Sequence, residues 1–476
     1  MTTMTAQTPW DVIIMGAGTT GLMAAIFAAK RGGRVLLIDA SPEVGGTLLV
    51  AHGQVSAAGT KLQAQKGITD TPQQHYDEAL RISKGTIDKD LAHLAIFNAA
   101  GMFDWLMEQG FDVRPDCPVM SEAHEPYLVP RYYWGKEMGK SVVKVLAKAL
   151  QEGIDRDAIA LKTNTRITDL VQESDGSVTG VKAVDGNGAS HAFKGKNVLL
   201  AAGGYAANPT YFKELCGIPL FAKAAYSFNQ GAGLQLGVSA GGYARGRENY
   251  LCNFGWILQD DKFPSPITGR ANTYPANRPP WEIYVNANAA RFIREDEPSV
   301  DVREHTLLEQ PDLRYWIVFD QTAFDKTTPI VFNWTKADME KAFETHAMFT
   351  KADTLDALAQ KIGLDAAALQ KTVADYNAGV ASSQDKFGRK HLPARLETGP
   401  VYAIRNQGAS VTSTVGLAVD EQLRVIRPDR TPIPNLYAAG EILGGGQLQG
   451  NAFVGGMMAM PSLVFGKLLG ERILPF

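Results

Sequence analysis

At 476 residues, with 45% apolar and 20% charged side chains and a net charge of −3, the chain has the composition of a globular protein of two or three domains. Nothing in that balance favours nucleic acid or an anionic membrane as a partner. The three cysteines, Cys117, Cys216 and Cys252, form no C-x-x-C pair, so neither a disulfide framework nor a zinc site is expected. The first ten residues are polar and uncharged, and no apolar run reaches ~18 residues. A cytoplasmic protein without a bound metal is expected.

Asp11–Ala40 reads DVIIMGAGTTGLMAAIFAAKRGGRVLLIDA. Val12–Met15 has the character of a buried strand, Leu22–Lys30 that of a helix ended by Gly32-Gly33, and Val35–Ile38 that of a second buried strand. Between strand and helix lies Gly16-x-Gly18-x-x-Gly21, and Asp39 follows the last glycine by eighteen residues. This is a dinucleotide-binding signature in its full strand–turn–helix context. Gly16 permits the tight turn, Gly18 lets a pyrophosphate approach the backbone, and Gly21 allows close helix–strand packing. Thr20 lies in the turn, the helix N-terminus faces the phosphates, and Asp39, followed by Ala40, is placed to bind a ribose. Gly45-Gly46-Thr47 and the small-residue stretch Ser56-Ala57-Ala58-Gly59 suit a chain running along a flavin better than a nicotinamide.

Further on, His124–Ser141 gathers Tyr127, Arg131, Tyr132, Tyr133 and Trp134 within eight positions. Two readings are open: an aromatic surface loop, or a substrate wall in which Arg131 lowers a tyrosine's pKa from ~10 and anchors an anion. Asp175–Gly188 reads as a β-hairpin around Val178–Val184. Lys194–Asn208 holds another buried strand, Val198–Ala201, running into Ala202-Gly203-Gly204, a second backbone approach at a parallel sheet's carboxyl edge. Only one complete GxGxxG is present, so a separate NADPH-binding domain is not expected.

From about Arg245 the composition turns to aromatics, prolines and short strands, a pattern that fits an inserted cap. The run Arg291, Arg294, Glu295, Asp296, Glu297, Asp301, Arg303, Glu304 reads as a solvated, ion-paired face. Arg303 and Arg291 are secondary candidates for carboxylate binding or proton delivery. Asp353–Ala381 holds two helices, the first ended by Gly363 and the second N-capped by Asp365. Gly440–Met458 has seven glycines in nineteen residues, which implies close approach to something bulky. The expected fold is α/β: a Rossmann-like FAD-binding domain over residues 1–242 and 400–476, with an α+β cap (catalytic) domain over 243–399.

These motifs, with VNANAARFIRED, NLYAAGEILGG and the closing GGMMAMPSLVFGKLLGERI, resemble the flavoprotein superfamily of fumarate reductase, succinate dehydrogenase and the 3-ketosteroid dehydrogenases over nearly the whole chain. The resemblance implies that the last glycine-rich segment, with Gly440 and Asn451, wraps an FAD. It implies that Glu441 holds the ribityl or ribose region. Ala459–Leu463, with Ser462, would open a helix toward the pyrimidine end of the ring. The superfamily's histidine and arginine for dicarboxylates fall here near Thr412 or Ser413 and at Phe453, which argues against fumarate as substrate. The ketosteroid enzymes' tyrosine falls at Ser299, while the Gly455-Gly456 N–H groups that polarise a ketone are retained.

Neither His52 nor His305 sits where a covalent flavin link is expected, so the FAD should be non-covalent. The implied activity is desaturation of a cyclic ketone such as an oxocyclohexane carboxylate or 3-ketosteroid, with Tyr127, Tyr132, Tyr133, Arg131, Arg303 and Gly455 as its candidate residues. An external acceptor or O2 would take the electrons. The alternatives are an ene-reductase acting on an enone or unsaturated carboxylate, or a catalytically silent FAD-binding redox module.

Overall fold

The computed structural model describes residues 8–121 and 124–474; the polar segment 1–7 lies outside them. The chain divides into two compact units. One comprises residues 8–218, 225–250 and 412–474 of the described chain, the other 219–224 and 251–411.

The first unit is built on a six-stranded sheet. Across it run Arg424–Ile426, Pro432–Ala438, Val198–Leu200, Val12–Met15, Val35–Ile38 and Ile159–Lys162. The first pair is antiparallel and every later pair is parallel. Val12–Met15 and Val35–Ile38 are buried throughout, as their unbroken apolar runs require of central parallel strands. The helix Thr19–Lys30 buries every residue from Thr20 to Ala29, so it is covered on more than one face. Ala459–Arg472 packs along it, and two glycines permit the approach. A Cβ on Gly466 would stand 2.5 Å from the Thr20 carbonyl oxygen, and one on Gly470 would stand 2.6 Å from that of Ala24. The expected hairpin is there, with Val178–Asp185 also pairing Thr165–Gln172 as the middle of three antiparallel strands.

The second unit holds an antiparallel sheet of Ile283–Asn286, Arg314–Asp320, Val401–Gln407 and Phe349–Ala352. Two helices cover it, Leu355–Ile362 and Ala366–Ser382, burying Leu358, Leu369, Val373 and Tyr376 against Ile283, Val285, Val318 and Ala403. Gly363 ends the first helix in the left-handed conformation at φ 73°, and the Asp365 side chain caps the second at the Ala368 N–H.

The charged run is ion-paired as expected, but it is not a solvated face. Arg291, Glu295, Asp296, Asp301, Arg303 and Glu304 are all buried. Arg291 is held between Glu295 (2.6 Å) and Asp385 (2.5 Å), and Arg389 closes on Glu295 at 2.9 Å. Two arginines balance two carboxylates, which lets the group leave water without a net charge. Glu304 has no such ion pair among the described residues, and burial pushes its carboxyl up to about 8 among Arg270, Asp301, Arg303 and His305. A carboxyl raised on folding binds its proton more tightly in the folded state, so stability should fall as pH rises from about 4.3 to about 8. Denaturant midpoints across that range should flatten in Glu304→Gln, by up to about 1.4 kcal/mol per pH unit. An unchanged slope would contradict the assignment.

Candidate active site

The turn after the first strand is held by two unlike requirements. A Cβ on Gly21 would lie 1.8 Å from the Gly16 carbonyl oxygen, and one on Gly16 would lie 2.3 Å from that of Ala201. The protein's own packing therefore demands both glycines. Gly18 differs: its φ is −79°, and an added Cβ would meet nothing of the protein closer than Gly46 Cα at 3.8 Å. The fold imposes no glycine there, whereas a pyrophosphate against the backbone would. No side chain caps the helix N-terminus at Gly18, so its first N–H groups are directed at a ligand position. The Thr20 hydroxyl is spent on the Ser462 carbonyl at 3.0 Å. Asp39 accepts from the N–H groups of Ala17 (2.5 Å) and Ser41 (2.7 Å) and stands at the sheet edge with Ala40. Burial pushes its carboxyl up.

Glu441 is the second node. Half-buried, its carboxylate accepts from Thr47 Oγ1 (3.1 Å), Asn229 Nδ2 (3.1 Å) and Ser413 Oγ (3.3 Å). Burial raises its pKa, and those three donors oppose the rise. A Cβ on Gly204 would strike Ser413 Oγ at 1.9 Å and Glu441 Oε1 at 2.7 Å, and one on Gly203 would strike Asn229 Oδ1 at 2.5 Å. Ala202-Gly203-Gly204, Gly45-Gly46-Thr47 and Gly440-Glu441 thus converge around one carboxylate. Asn229 carries no motif in SFNQGAG, and only the fold reveals its place. Asn451 is pinned instead by Thr86, whose Oγ1 lies 3.0 Å from its Oδ1 and 2.9 Å from its N. The Ser462 hydroxyl returns to the Met458 carbonyl, and Leu463 is core.

The tyrosine segment is neither a surface loop nor an anion anchor. Tyr127, Arg131, Tyr132, Tyr133 and Trp134 are all buried, and Tyr132–Tyr133 pairs as a short strand with Val55–Ser56, bringing Ser56 and Ala57 alongside. Arg131, 0% exposed, is engaged by Asp70 (2.7 Å) and Glu78 (2.9 Å). Its charge is therefore matched already: burial pushes the Tyr127 and Tyr133 phenols up, and the lowering that Arg131 exerts on Tyr127 does not offset it. Tyr133 lies 2.9 Å from Thr60 Oγ1, and Tyr127 donates to the Gly455 carbonyl at 2.6 Å. Tyr132 turns its phenol end toward the same loop, with Cε2 3.2 Å and Cζ 3.4 Å from where a Gly455 Cβ would stand. The Gly455 and Gly456 N–H groups meet no acceptor among the described residues. Where the dicarboxylate-binding cations would fall, Ser413 bonds inward to Glu441 and Phe453 stacks on His124 with ring centroids 3.4 Å apart.

Arg303 lies in the second unit on the helix Val300–Leu308, which Ser299 caps. Its Nη1 donates to the Thr273 carbonyl and, at 2.9 Å, to the Thr273 hydroxyl. Its Nη2, like the hydroxyls of Tyr284 and Tyr315, has no partner among the described residues. No cluster of metal-binding side chains occurs among those residues, and no helix is long and apolar enough to cross a membrane.

An uncapped helix N-terminus behind a glycine turn, an acid at the end of the second strand and a glutamate ringed by glycine backbones have the form of a dinucleotide-binding site. A family model described as an FAD binding domain matches residues 11–457, and the chain belongs to that family. It is 28% identical to a probable fumarate reductase of Shewanella frigidimarina, over 97% of this chain and 74% of the relative. It is likewise 28% identical to a urocanate reductase of Eggerthella lenta, over 97% and 74%. Its fold is similar to that of 3-ketosteroid Δ1-dehydrogenase from Sterolibacterium denitrificans, with a TM-score of 0.75 and 19% identity over 98% and 99% of the two chains. The protein is an FAD-dependent oxidoreductase of a class that works on CH–CH groups.

The two kinds of glycine separate experimentally. Gly18→Ala should purify folded but largely colourless, since its methyl fills ligand space alone. Gly21→Ala should lose the fold along with the flavin, because its methyl meets a carbonyl oxygen. Thermal melts and flavin absorbance check both, and a yellow, stable Gly21→Ala would contradict the packing assignment.

Proposed function

We propose that the protein transfers a hydride across the CH–CH bond beside a ketone, and that reduction of a cyclic enone is the favoured direction. The observation that carries the substrate class is the pair Ser413 and Phe453. The first is turned into the Glu441 node and the second is stacked on His124, so neither offers a cation to a dicarboxylate. A planar, uncharged ring end suits that aromatic pair.

The Gly18 turn, Asp39 and Glu441 would hold the FAD, which would supply hydride exchange with the carbon β to the ketone. The protein's part is to stabilise charge and move a proton. The Gly455 and Gly456 N–H groups are the donors we assign to the ketone oxygen, which gains negative charge as the hydride arrives. Tyr132 is the residue we assign to the α proton, because its phenol end lies against the loop that carries those N–H groups. A phenol can donate its proton, and the reductase relatives favour reduction over the expected desaturation. Arg303, whose Nη2 has no partner among the described residues, is the alternative candidate for the proton. The FAD is taken as non-covalent, with electrons from an external donor.

The test is single-turnover reoxidation of the chemically reduced protein by cyclic enones under anaerobic conditions. Enones should restore the oxidised spectrum, and Tyr132→Phe should slow this by ~10²-fold while retaining FAD. Full activity in Tyr132→Phe with loss in Arg303→Lys would move the proton to the guanidinium. Rapid bleaching of oxidised protein by saturated ketones, with no response to enones, would reverse the direction. Acid precipitation should release all the flavin; colour left in the pellet would contradict the non-covalent assignment.

A further inference from the structure

One peptide unit joins Gly455 to Gly456, and it carries both a carbonyl held by the protein and an N–H with no protein acceptor. Tyr127 donates to that carbonyl at 2.6 Å. The C=O and N–H of a trans peptide point in opposite directions in one plane, so fixing the first aims the second. The pin matters here because a peptide between two glycines reorients easily, and Gly456 sits at φ 79°. Elsewhere the loop is tied by Gln449 to the Val454 carbonyl (3.0 Å) and by Thr86 to Asn451, neither of which grips this peptide.

Behind Tyr127 stands His75, from the helix Pro72–Ile82. Its Nε2 lies 3.4 Å from the Tyr127 hydroxyl, and the rings meet edge-on with centroids 5.4 Å apart. Burial, and then the Arg131 charge, hold the imidazole well below its ordinary range, so it is neutral and has one N–H. The single hydroxyl hydrogen of Tyr127 is committed to Gly455. The hydrogen between the two rings must then come from His75 Nε2, which agrees with a bare Nδ1 that has no partner among the described residues.

We propose that His75 and Tyr127 are positioning residues, a chain from imidazole N–H through phenol to the Gly455 carbonyl that aims and polarises the Gly456 N–H toward the substrate's carbonyl oxygen. Hydrogen bonds in such a chain strengthen one another. The inference rests on the enone reading above, which makes that N–H a donor to substrate.

Infrared difference spectra of holoprotein with cyclohexenone carrying heavy carbon at its carbonyl read the polarisation directly. Wild type should lower the carbonyl stretch below its value in water. Tyr127→Phe should lose most of that lowering, His75→Leu should lose part, and His75→Gln, which keeps a donor, should restore it. Turnover in Tyr127→Phe should fall about ten-fold with KM nearly unchanged, less than the loss of a donor itself. Equal lowering in wild type, Tyr127→Phe and His75→Leu would overturn the chain and leave the enone reading standing. No lowering in wild type would overturn the enone reading, and the inference with it. Should Tyr127→Phe lose its flavin, His75→Leu against His75→Gln decides alone: a difference supports the chain, and identity overturns it.

Discussion

The carbonyl oxygen of Gly16 occupies the place where any side chain on residue 21 would stand, and the nucleotide-binding unit is organised by that contact. It draws the helix Thr19–Lys30 hard against the turn and directs its N-terminus at the phosphate position. Gly466 and Gly470 then let the last helix lie equally close on the other side. The two ends of the chain are thereby joined: Thr20 bonds Ser462, and Gly440 passes so near Thr20 that a Cβ would stand 2.4 Å from its hydroxyl. The late cluster of glycines serves this joining. It brings Glu441 to Thr47 and Asn229 and carries Gly455 to the tyrosines, two places where a side chain on the backbone would exclude either a ligand or a neighbouring strand.

Buried charge is used for architecture in both units. Asp70 and Glu78 hold Arg131 beneath the strand Tyr132–Tyr133, and Glu295 and Asp385 hold Arg291 in the second unit. Removing one partner from such a group leaves an uncompensated charge out of water, which costs about 3–5 kcal/mol. The same pairing withdraws these arginines from chemistry. Arg131 is fixed in position with its charge matched, so what it offers the tyrosines is support from below.

The first forty residues were legible because everything in them is local: strand, turn, helix and acid are adjacent in sequence, and each glycine has a physical reason. The caps at Gly363 and Asp365 were legible on the same ground. Arg131 was not, since its partner Asp70 lies 61 residues away, and no local pattern separates a guanidinium awaiting an anion from one already paired. The charged run misled for the same reason: Asp385 lies 94 residues from Arg291, so a buried, balanced network looked like a solvated face. Asn229 and His75 had no signal at all. Each acts through one atom placed by tertiary structure, in a stretch whose composition is unremarked.

Where the superfamily resemblance places cations for a dicarboxylate, this chain has Thr412 or Ser413 and Phe453. Ser413 bonds to the Glu441 carboxylate, and Phe453 forms an aromatic pair with His124. Equilibrium titration of the oxidised holoprotein, followed by flavin absorbance, tests this most directly. Cyclohexenone should perturb the flavin bands saturably and fumarate should leave them unchanged; tight, saturable binding of fumarate without a response to cyclohexenone would contradict the account.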